Sequence, residues 1–260
     1  ERAVDDRVRD LGDEAAAQNL VQYVHAQRAA TGEVPSDQAI VIERWLDELG
    51  DWRVCVLSPF GARVHAPWLT AALARLREER GVTVEGLWSD DGMVFRFPEA
   101  EVAPDMAALL IAPDAIEDEI VQHVGQTAVF AARFRENAAR ALLLPRKYPG
   151  RRSPLWAQRQ RAADLMAAAS RFGSFPILLE TYRECLREVF DVPALIEVLR
   201  RIESRELRVV TVDSKRPSPF AGALLFTYVG NFLYEGDAPL AERRAQALAI
   251  DVGKLRELLG

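Results

Sequence analysis

The sequence is poor in the residues that build metal centres and covalent cross-links. It contains two cysteines, Cys55 and Cys185, and three histidines among 260 residues. Two cysteines that lie 130 positions apart supply no disulfide framework, so we expect a reducing, cytoplasmic environment. Because the histidines are far apart and neither cysteine has a nearby ligand partner, the sequence predicts no metal site.

Long apolar stretches are also missing. The longest run without a charged residue, 217–234, has 18 positions and is interrupted by a serine, a threonine and an asparagine. A membrane helix needs about 20 predominantly apolar residues, so this run predicts a buried helix and no membrane partner. The first ten residues alternate acidic and basic side chains, and we therefore expect no signal peptide.

The common catalytic signatures are absent as well. The sequence has no Walker A loop to cradle nucleotide phosphates and no Gly-x-Ser-x-Gly nucleophile elbow. Asp90 and Asp91 form the most prominent carboxylate pair, but an Asp-Asp-Gly hairpin turn explains both residues. For this chain alone, we therefore predict no enzymatic activity, no catalytic residue and no cofactor.

Charge is present but unevenly distributed. The formal net charge of −6 combines −13 over residues 1–125, +8 over residues 126–161 and −1 over the remainder. The total speaks against bulk attraction to a polyanion, whereas the distribution allows a local contact.

The positive charge culminates in residues 146–161, which we call the basic strip. It holds five arginines, one lysine and two aromatic rings, with no acidic residue among them. Arginine forks suit phosphates and flat rings suit unstacked bases, so the strip is typical of single-strand binding. The candidate contacts here are Trp156, Arg151 and Arg152. The alternative is a solvated turn whose cations pair with acidic helices elsewhere in the chain.

A second unusual segment is SPFGARVHAPW, residues 58–68. We expect a turn, then a short strand at 63–65, then a helix that starts at Pro67 and places Trp68 at its exposed beginning. In the functional interpretation Arg63 meets a phosphate and Trp68 stacks on a base, with anion-binding backbone amides at the helix start. In the alternative, Phe60 and Trp68 are core residues, while Arg63 and His65 point outward from an edge strand.

The order of elements predicts an α+β fold. Residues 1–112 are rich in strands, which we assign to an antiparallel sheet or small β-barrel crossed by a helix; residues 113–260 are mainly helical. A strand near 207–212 is expected to return to the sheet, so we expect one interlocked domain over 1–260. Strands are predicted at 39–46, 52–57, 82–88 and 93–97, and helices at 13–30, 68–80, 127–144, 159–172, 177–190, 193–204, 220–234, 240–249 and 252–259.

Several long runs resemble a known family. They are VPSDQAIVIERWLDELGDWRV with SPFGARVHAPW, then PGRRSPLWAQRQRAADL, FPILLETYRECLREVFDVPAL, SPFAGALLFTYVGNFLYEGDAPLAERRAQAL and LRELLG. In this order they are similar to the large helicase-related (Lhr) family of superfamily-two helicases. The resemblance covers about residues 14–260 and points to the helicase-associated domain, a β-barrel with helices that follows two motor domains and a winged helix.

The resemblance implies a role beside a motor. Family members are ATP-driven translocases that unwind duplexes, including RNA:DNA hybrids, but ATP, Mg²⁺ and hydrolysis are expected only of motor domains outside this chain. The implied role is to clamp single-stranded DNA or RNA, with contacts to the motor and winged helix of the same polypeptide. The stacking candidates are Trp68 first, then Trp52 and Trp156, and the phosphate candidates are Arg63, Arg151 and Arg152. Phe60 and His65 are further candidate contacts to the nucleic acid.

Two rival functions remain open at this point. One is a nuclease or base-removing enzyme that uses Asp90, Asp91 or another pocket carboxylate. The other is a structural buttress for the motor and winged helix that makes no contact with nucleic acid.

Overall fold

The computed structural model describes residues 14–80, 84–98, 100, 102–144 and 154–234, and every structural statement below concerns those residues. The helices are α1 (Glu14–Thr31), α2 (Ala62–Arg80), α3 (Ile116–Val124), α4 (Ala128–Arg140), α5 (Leu155–Ala169), α6 (Pro176–Glu184), α7 (Val192–Glu203) and α8 (Pro219–Tyr234). The strands are β1 (Ala39–Leu46), β2 (Trp52–Leu57), β3 (Glu85–Ser89), β4 (Gly92–Phe97) and β5 (Arg208–Asp213). A 3₁₀ turn (Met106–Leu109) follows β4, and a π-helical turn (Cys185–Val189) extends α6. The predicted α+β class is confirmed.

The strands form one open sheet in the order β3-β4-β2-β1-β5. Every neighbouring pair is antiparallel except β1 and β5, which are parallel. The return of a late strand to the sheet is confirmed, since β5 pairs along β1 from Ala39 opposite Arg208 onward. The sheet does not close into a barrel, so of the two predicted forms the open sheet is correct.

The β3–β4 connection is the hairpin that the sequence predicts. Ser89 lies opposite Gly92, with Asp90 and Asp91 in the turn. Gly92 has a φ of +149°, and a Cβ at this position would collide with the carbonyl oxygen of Val56. Glycine therefore lets β4 lie directly against β2 at the turn.

The two faces of the sheet pack against different helices, as strict alternation along a strand requires. Ile40, Ile42, Val54, Val56, Phe95 and Phe97 belong to a large core that includes α2, α3, α4 and α7. Val41, Trp45, Cys55, Leu57 and Val94 belong to a smaller cluster with Ala221, Leu224 and Leu225 of α8. Helix α1 packs on α8, so it lies on the side of the sheet opposite α2.

Helix α2 begins at Ala62, five residues before the predicted start, and the strand predicted at 63–65 is wrong. Gly61, at a φ of +85°, turns the chain out of β2. The Ala62 N–H then donates to Asp90 Oδ1 at 3.0 Å, which supplies the acceptor that a helix start needs. Pro67 therefore lies inside the helix.

The helical half follows the prediction with shifted ends. The acidic residues at 117–119 predict a helix capped by Asp114. The helix forms as α3, but Ala115 holds the position before it and no side chain among the described residues caps it. Thr127 caps α4, where its hydroxyl accepts from the Phe130 N–H at 3.2 Å. The predicted helices at 240–249 and 252–259 lie outside the described residues. Within the described part, no helix has both the length and the apolar character to cross a membrane.

Candidate nucleic-acid interface

Trp68 lies in the core, and its expected stacking role is corrected. Its side chain is 1% exposed, and the indole N–H donates to the carbonyl oxygen of Leu109 at 2.7 Å. The residue belongs to the large core around α2, far inside a helix that begins at Ala62. Because no ring face is open to solvent, Trp68 has no surface on which a base could stack.

His65 is a buried connector between two turns. Its Nδ1 lies 2.8 Å from the Ser89 carbonyl oxygen, and its Nε2 lies 3.0 Å from Ser58 Oγ. A carbonyl only accepts, so Nδ1 carries the proton and donates, and Nε2 accepts from the Ser58 hydroxyl. Burial lowers the pKa of His65, against the opposing effects of the Ser89 hydrogen bond and of Asp90 and Asp91. The ring is therefore neutral and fully buried, which does not suit a phosphate contact.

Arg63 is exposed but anchored. Its guanidinium donates to the carbonyl oxygen of Arg187 at 3.2 Å, and its own carbonyl accepts from the Asp191 N–H at 2.9 Å. Within the described residues it has no carboxylate partner, so its charge remains available at the surface. Phe60 and Trp52 are each half-buried and pack against the large core, which leaves them only partly accessible.

Trp156 is the most exposed tryptophan of the described residues, with 72% of its surface accessible. It lies in the first turn of α5, one residue after the helix begins. The opposite side of α5 faces the protein, where Ala162 and Ala169 are buried. Helical periodicity places Arg159 one turn beyond Trp156 on the same, outer side of the helix.

The cations of α5 belong, like Arg63, to the exposed arginines that have no carboxylate partner among the described residues. Arg159 and Arg161 are both exposed, and across the described part of the chain neither has a carboxylate within 4.0 Å. In contrast, Arg183 lies 2.7 Å from Glu180, and Arg208 lies 2.9 Å from Glu33. Part of the alternative interpretation, in which acidic side chains neutralise the strip, therefore fails for these two residues. Arg151 and Arg152 lie outside the described residues.

Of the carboxylate pair Asp90 and Asp91, only the Asp90 carboxylate has a structural role in the described residues. Asp90 caps α2 through the Ala62 N–H, whereas the carboxylate of Asp91 has no partner among the described residues. No group of three or more histidine, cysteine, aspartate or glutamate side chains in that part of the chain could hold a metal ion.

The exposure of Trp88, whose side chain is 38% accessible on β3, could not be predicted from the sequence. Its strand was predicted, but β3 forms an edge of the sheet. Edge position depends on which strands pair, and a single strand's sequence does not carry that information.

Comparison with known proteins identifies the family. The model of the DEAD/H associated family matches residues 34–221. The chain is 54% identical over its whole length to the Lhr helicase/probable uracil glycosylase of Mycolicibacterium smegmatis, of which it covers 17%. It is 47% identical over 96% of its length to the Lhr helicase/uracil glycosylase of Escherichia coli, of which it covers 16%. It is also 29% identical, over 91% of its length, to the ATP-dependent helicase Lhr-Core of Saccharolobus solfataricus, of which it covers 27%.

A solved structure shares the fold. The structure of Mycobacterium smegmatis helicase Lhr bound to ssDNA and AMP-PNP superposes with a TM-score of 0.80 and 51% sequence identity, covering 86% of this chain and 29% of that one. The chain thus spans less than a third of each of these proteins. It belongs to the DEAD/H associated family and is the helicase-associated domain of the Lhr type.

Proposed function

We propose that this domain binds single-stranded nucleic acid beside the motor of an Lhr-type helicase and clamps the strand through α5. The observation that carries the proposal is the exposed indole of Trp156, with Arg159 one helical turn away and no carboxylate partner for that arginine among the described residues. Tryptophan is highly buried on average in folded proteins, so an indole that is 72% exposed is a candidate for contact with a partner.

The chemistry of α5 suits a strand rather than a duplex. A base must be unstacked before an indole can take its neighbour's place, and such stacking contributes about 1–3 kcal/mol per base. Arg159 and Arg161 would bind the phosphates on either side of the stacked base. Two phosphate contacts and one stacked base give a modest grip, so most of the affinity would come from the motor.

The position of Trp156 on a helix favours a clamp. Helix α5 packs along α4, and Leu165 and Met166 rest on the large core. A ring attached to a packed helix keeps its orientation while the strand is pulled past it, so it resists backward slippage without consuming ATP.

The relatives support this role over base removal. The Mycobacterium smegmatis protein was solved with ssDNA. The domain also occurs in the Saccharolobus solfataricus relative, whose name mentions only helicase activity. A domain shared by both kinds of relative fits the activity that they share, which is that of a helicase.

We also propose that residues 1–260 form a single interlocked domain. Strand β5 comes from the mainly helical half and pairs with β1 of the strand-rich half. The large core likewise draws on both halves, from Ile40 to Leu207. Neither half could bury its apolar face without the other.

A titration of a labelled single-stranded oligonucleotide with the chain, repeated at several salt concentrations, tests strand binding. We expect binding that weakens as salt rises, and we expect Arg159→Gln and Arg161→Gln each to reduce the slope of log K against log salt by about 0.7. Arg183→Gln is the matched control, because Glu180 and Glu188 already neutralise that exposed arginine. No binding at low salt would favour the structural buttress, and an unchanged slope in both variants would remove α5 as the phosphate contact.

A further inference from the structure

A cavity of about 220 Å³ opens between α1, α8 and the turns that end β2 and β3. Its lining includes two aromatic rings, two prolines, one carboxylate and one small side chain: Tyr23, Phe220, Pro35, Pro59, Asp91 and Ala223. It shares no residue with the Trp156 surface on α5. A cavity with mostly apolar walls and few polar groups is the usual form of a binding site.

The aromatic wall is held in place. The rings of Tyr23 and Phe220 are 4.8 Å apart between centroids and inclined by 32°. The Tyr23 hydroxyl donates to the Pro219 carbonyl oxygen at 2.9 Å. Since the phenol proton is already used, the rings offer the cavity flat faces and little hydrogen-bonding capacity.

Hydrogen bonds hold the backbone of Asp91, the residue that supplies the cavity's carboxylate. The Ser58 N–H donates to the Asp91 carbonyl oxygen at 3.1 Å, and the Asp91 N–H donates to Ser89 Oγ at 3.1 Å. His65 fastens the same two turns to each other from below. The backbone of Asp91 is therefore fixed, while its carboxylate has no donor or cation within the described part of the chain.

The charge of Asp91 acts across the cavity. The pKa of Tyr23 is raised, first by burial and then by the negative charge of Asp91. Among the residues that the structure describes, Asp91 is the one charged residue in the lining of this cavity. A phosphate group would be repelled here, and a cation would be attracted.

We propose that this cavity is the docking site for an arginine side chain from a part of the parent polypeptide outside residues 1–260. The aliphatic stem would lie against Pro35 and Pro59, and the guanidinium would lie on an aromatic face and bind Asp91 in a bidentate manner. We assign the occupant to the same polypeptide because the chain spans only 17% of its Mycolicibacterium smegmatis relative and, as this step takes from the proposed function, the domain works beside a motor. This inference goes beyond strand binding and does not use Trp156.

The probe for the test is N-acetylarginine amide, which lacks any charge other than the guanidinium. Its titration into the 260-residue chain is followed through the NMR amide shifts of Asp91 and Ala223. We expect saturable shifts with a dissociation constant of about 1 mM. Asp91→Asn, which preserves the size of the side chain, and the uncharged probe N-acetylcitrulline amide should each weaken binding by about fivefold. Trp156→Ala should leave binding of the probe unchanged.

Three results would overturn the proposal. They are a lack of saturable shifts at either amide, equal affinity for the arginine and citrulline probes, and tighter binding of deoxycytidine monophosphate than of the arginine probe at the same amides. The source of the arginine is tested in the longer parent polypeptide, where the filled site should bind the probe at least about tenfold more weakly. Equal affinity in the parent and in the 260-residue chain would contradict an occupant from the same polypeptide.

Discussion

The carbonyl oxygen of Arg63 accepts a hydrogen bond from the backbone N–H of Asp191, 2.9 Å away. Pro67 lies four residues after Arg63 and has no N–H, so this carbonyl has no partner within α2. The bond therefore satisfies the group that the proline leaves open, and it joins the first turn of α2 to the start of α7. Segment 58–68 is thus part of the framework between the sheet and the helices.

Asp191 also caps α7, and its removal should weaken this junction. Its carboxylate accepts from the Ala194 N–H at 3.2 Å. We expect Asp191→Ala to lower the free energy of unfolding by about 1 kcal/mol in urea denaturation. Asp191→Asn can still cap the helix and should lose only a few tenths of that amount. Equal losses of stability in both variants would contradict a capping role, because they would show that the negative charge of Asp191, and not its hydrogen bond to the Ala194 N–H, stabilises the fold.

The burial of Trp68 predicts a large loss of stability. Trp68→Ala should lower the free energy of unfolding by about 3–5 kcal/mol, because it leaves a cavity in the core. Trp68→Phe fills most of that space but leaves the Leu109 carbonyl without its donor, so we expect a loss of about 1–3 kcal/mol. Denaturant unfolding measures both. A Trp68→Phe variant of full stability with reduced oligonucleotide affinity would contradict the core role and restore the binding role.

The neutral, buried ring of His65 predicts that stability decreases in mild acid. Its folded-state pKa lies below the ordinary value of 6.5, so the unfolded chain takes up a proton first as the pH falls through that value. The free energy of unfolding should therefore decline between about pH 7 and pH 5. His65→Asn lacks the titrating group and should show a shallower decline over the same range. Parallel pH profiles for the two proteins would contradict the assignment.

Much of the fold was predictable because local patterns specify it. Alternating apolar residues identified β2, short strand-forming runs identified β1 and β4, and the Asp-Asp-Gly turn identified the β3–β4 hairpin. The return of β5 followed from the presence of a single strand after many helices. What local patterns could not give was strand order, since pairing of β5 with β1 and the exposure of Trp88 depend on the whole sheet.

The site was harder to predict because burial decides which tryptophan can contact a ligand. Trp68 directly follows Pro67 and Trp156 lies two residues after Pro154, each near at least one arginine, and both suit stacking by composition. The difference lies in tertiary contacts. Asp90 accepts a hydrogen bond from the Ala62 N–H, so α2 begins at Ala62 and Trp68 lies within the helix, in the core. An interior proline ordinarily disfavours a helix because it leaves one carbonyl without a donor. In α2 the backbone N–H of Asp191 donates to that carbonyl.

The measurement that tests the clamp most directly is the affinity of the Trp156→Ala variant for a single-stranded oligonucleotide, compared with that of Trp88→Ala. Trp156 is 72% exposed, so Trp156→Ala should change the free energy of unfolding by no more than about 0.5 kcal/mol. Trp88 is 38% exposed and its truncation costs more, so both variants are compared under conditions in which each is fully folded. We expect Trp156→Ala to weaken binding by about tenfold or more, Trp156→Phe to recover part of the loss, and Trp88→Ala to bind like the unmodified chain. Unchanged affinity in Trp156→Ala would contradict the account.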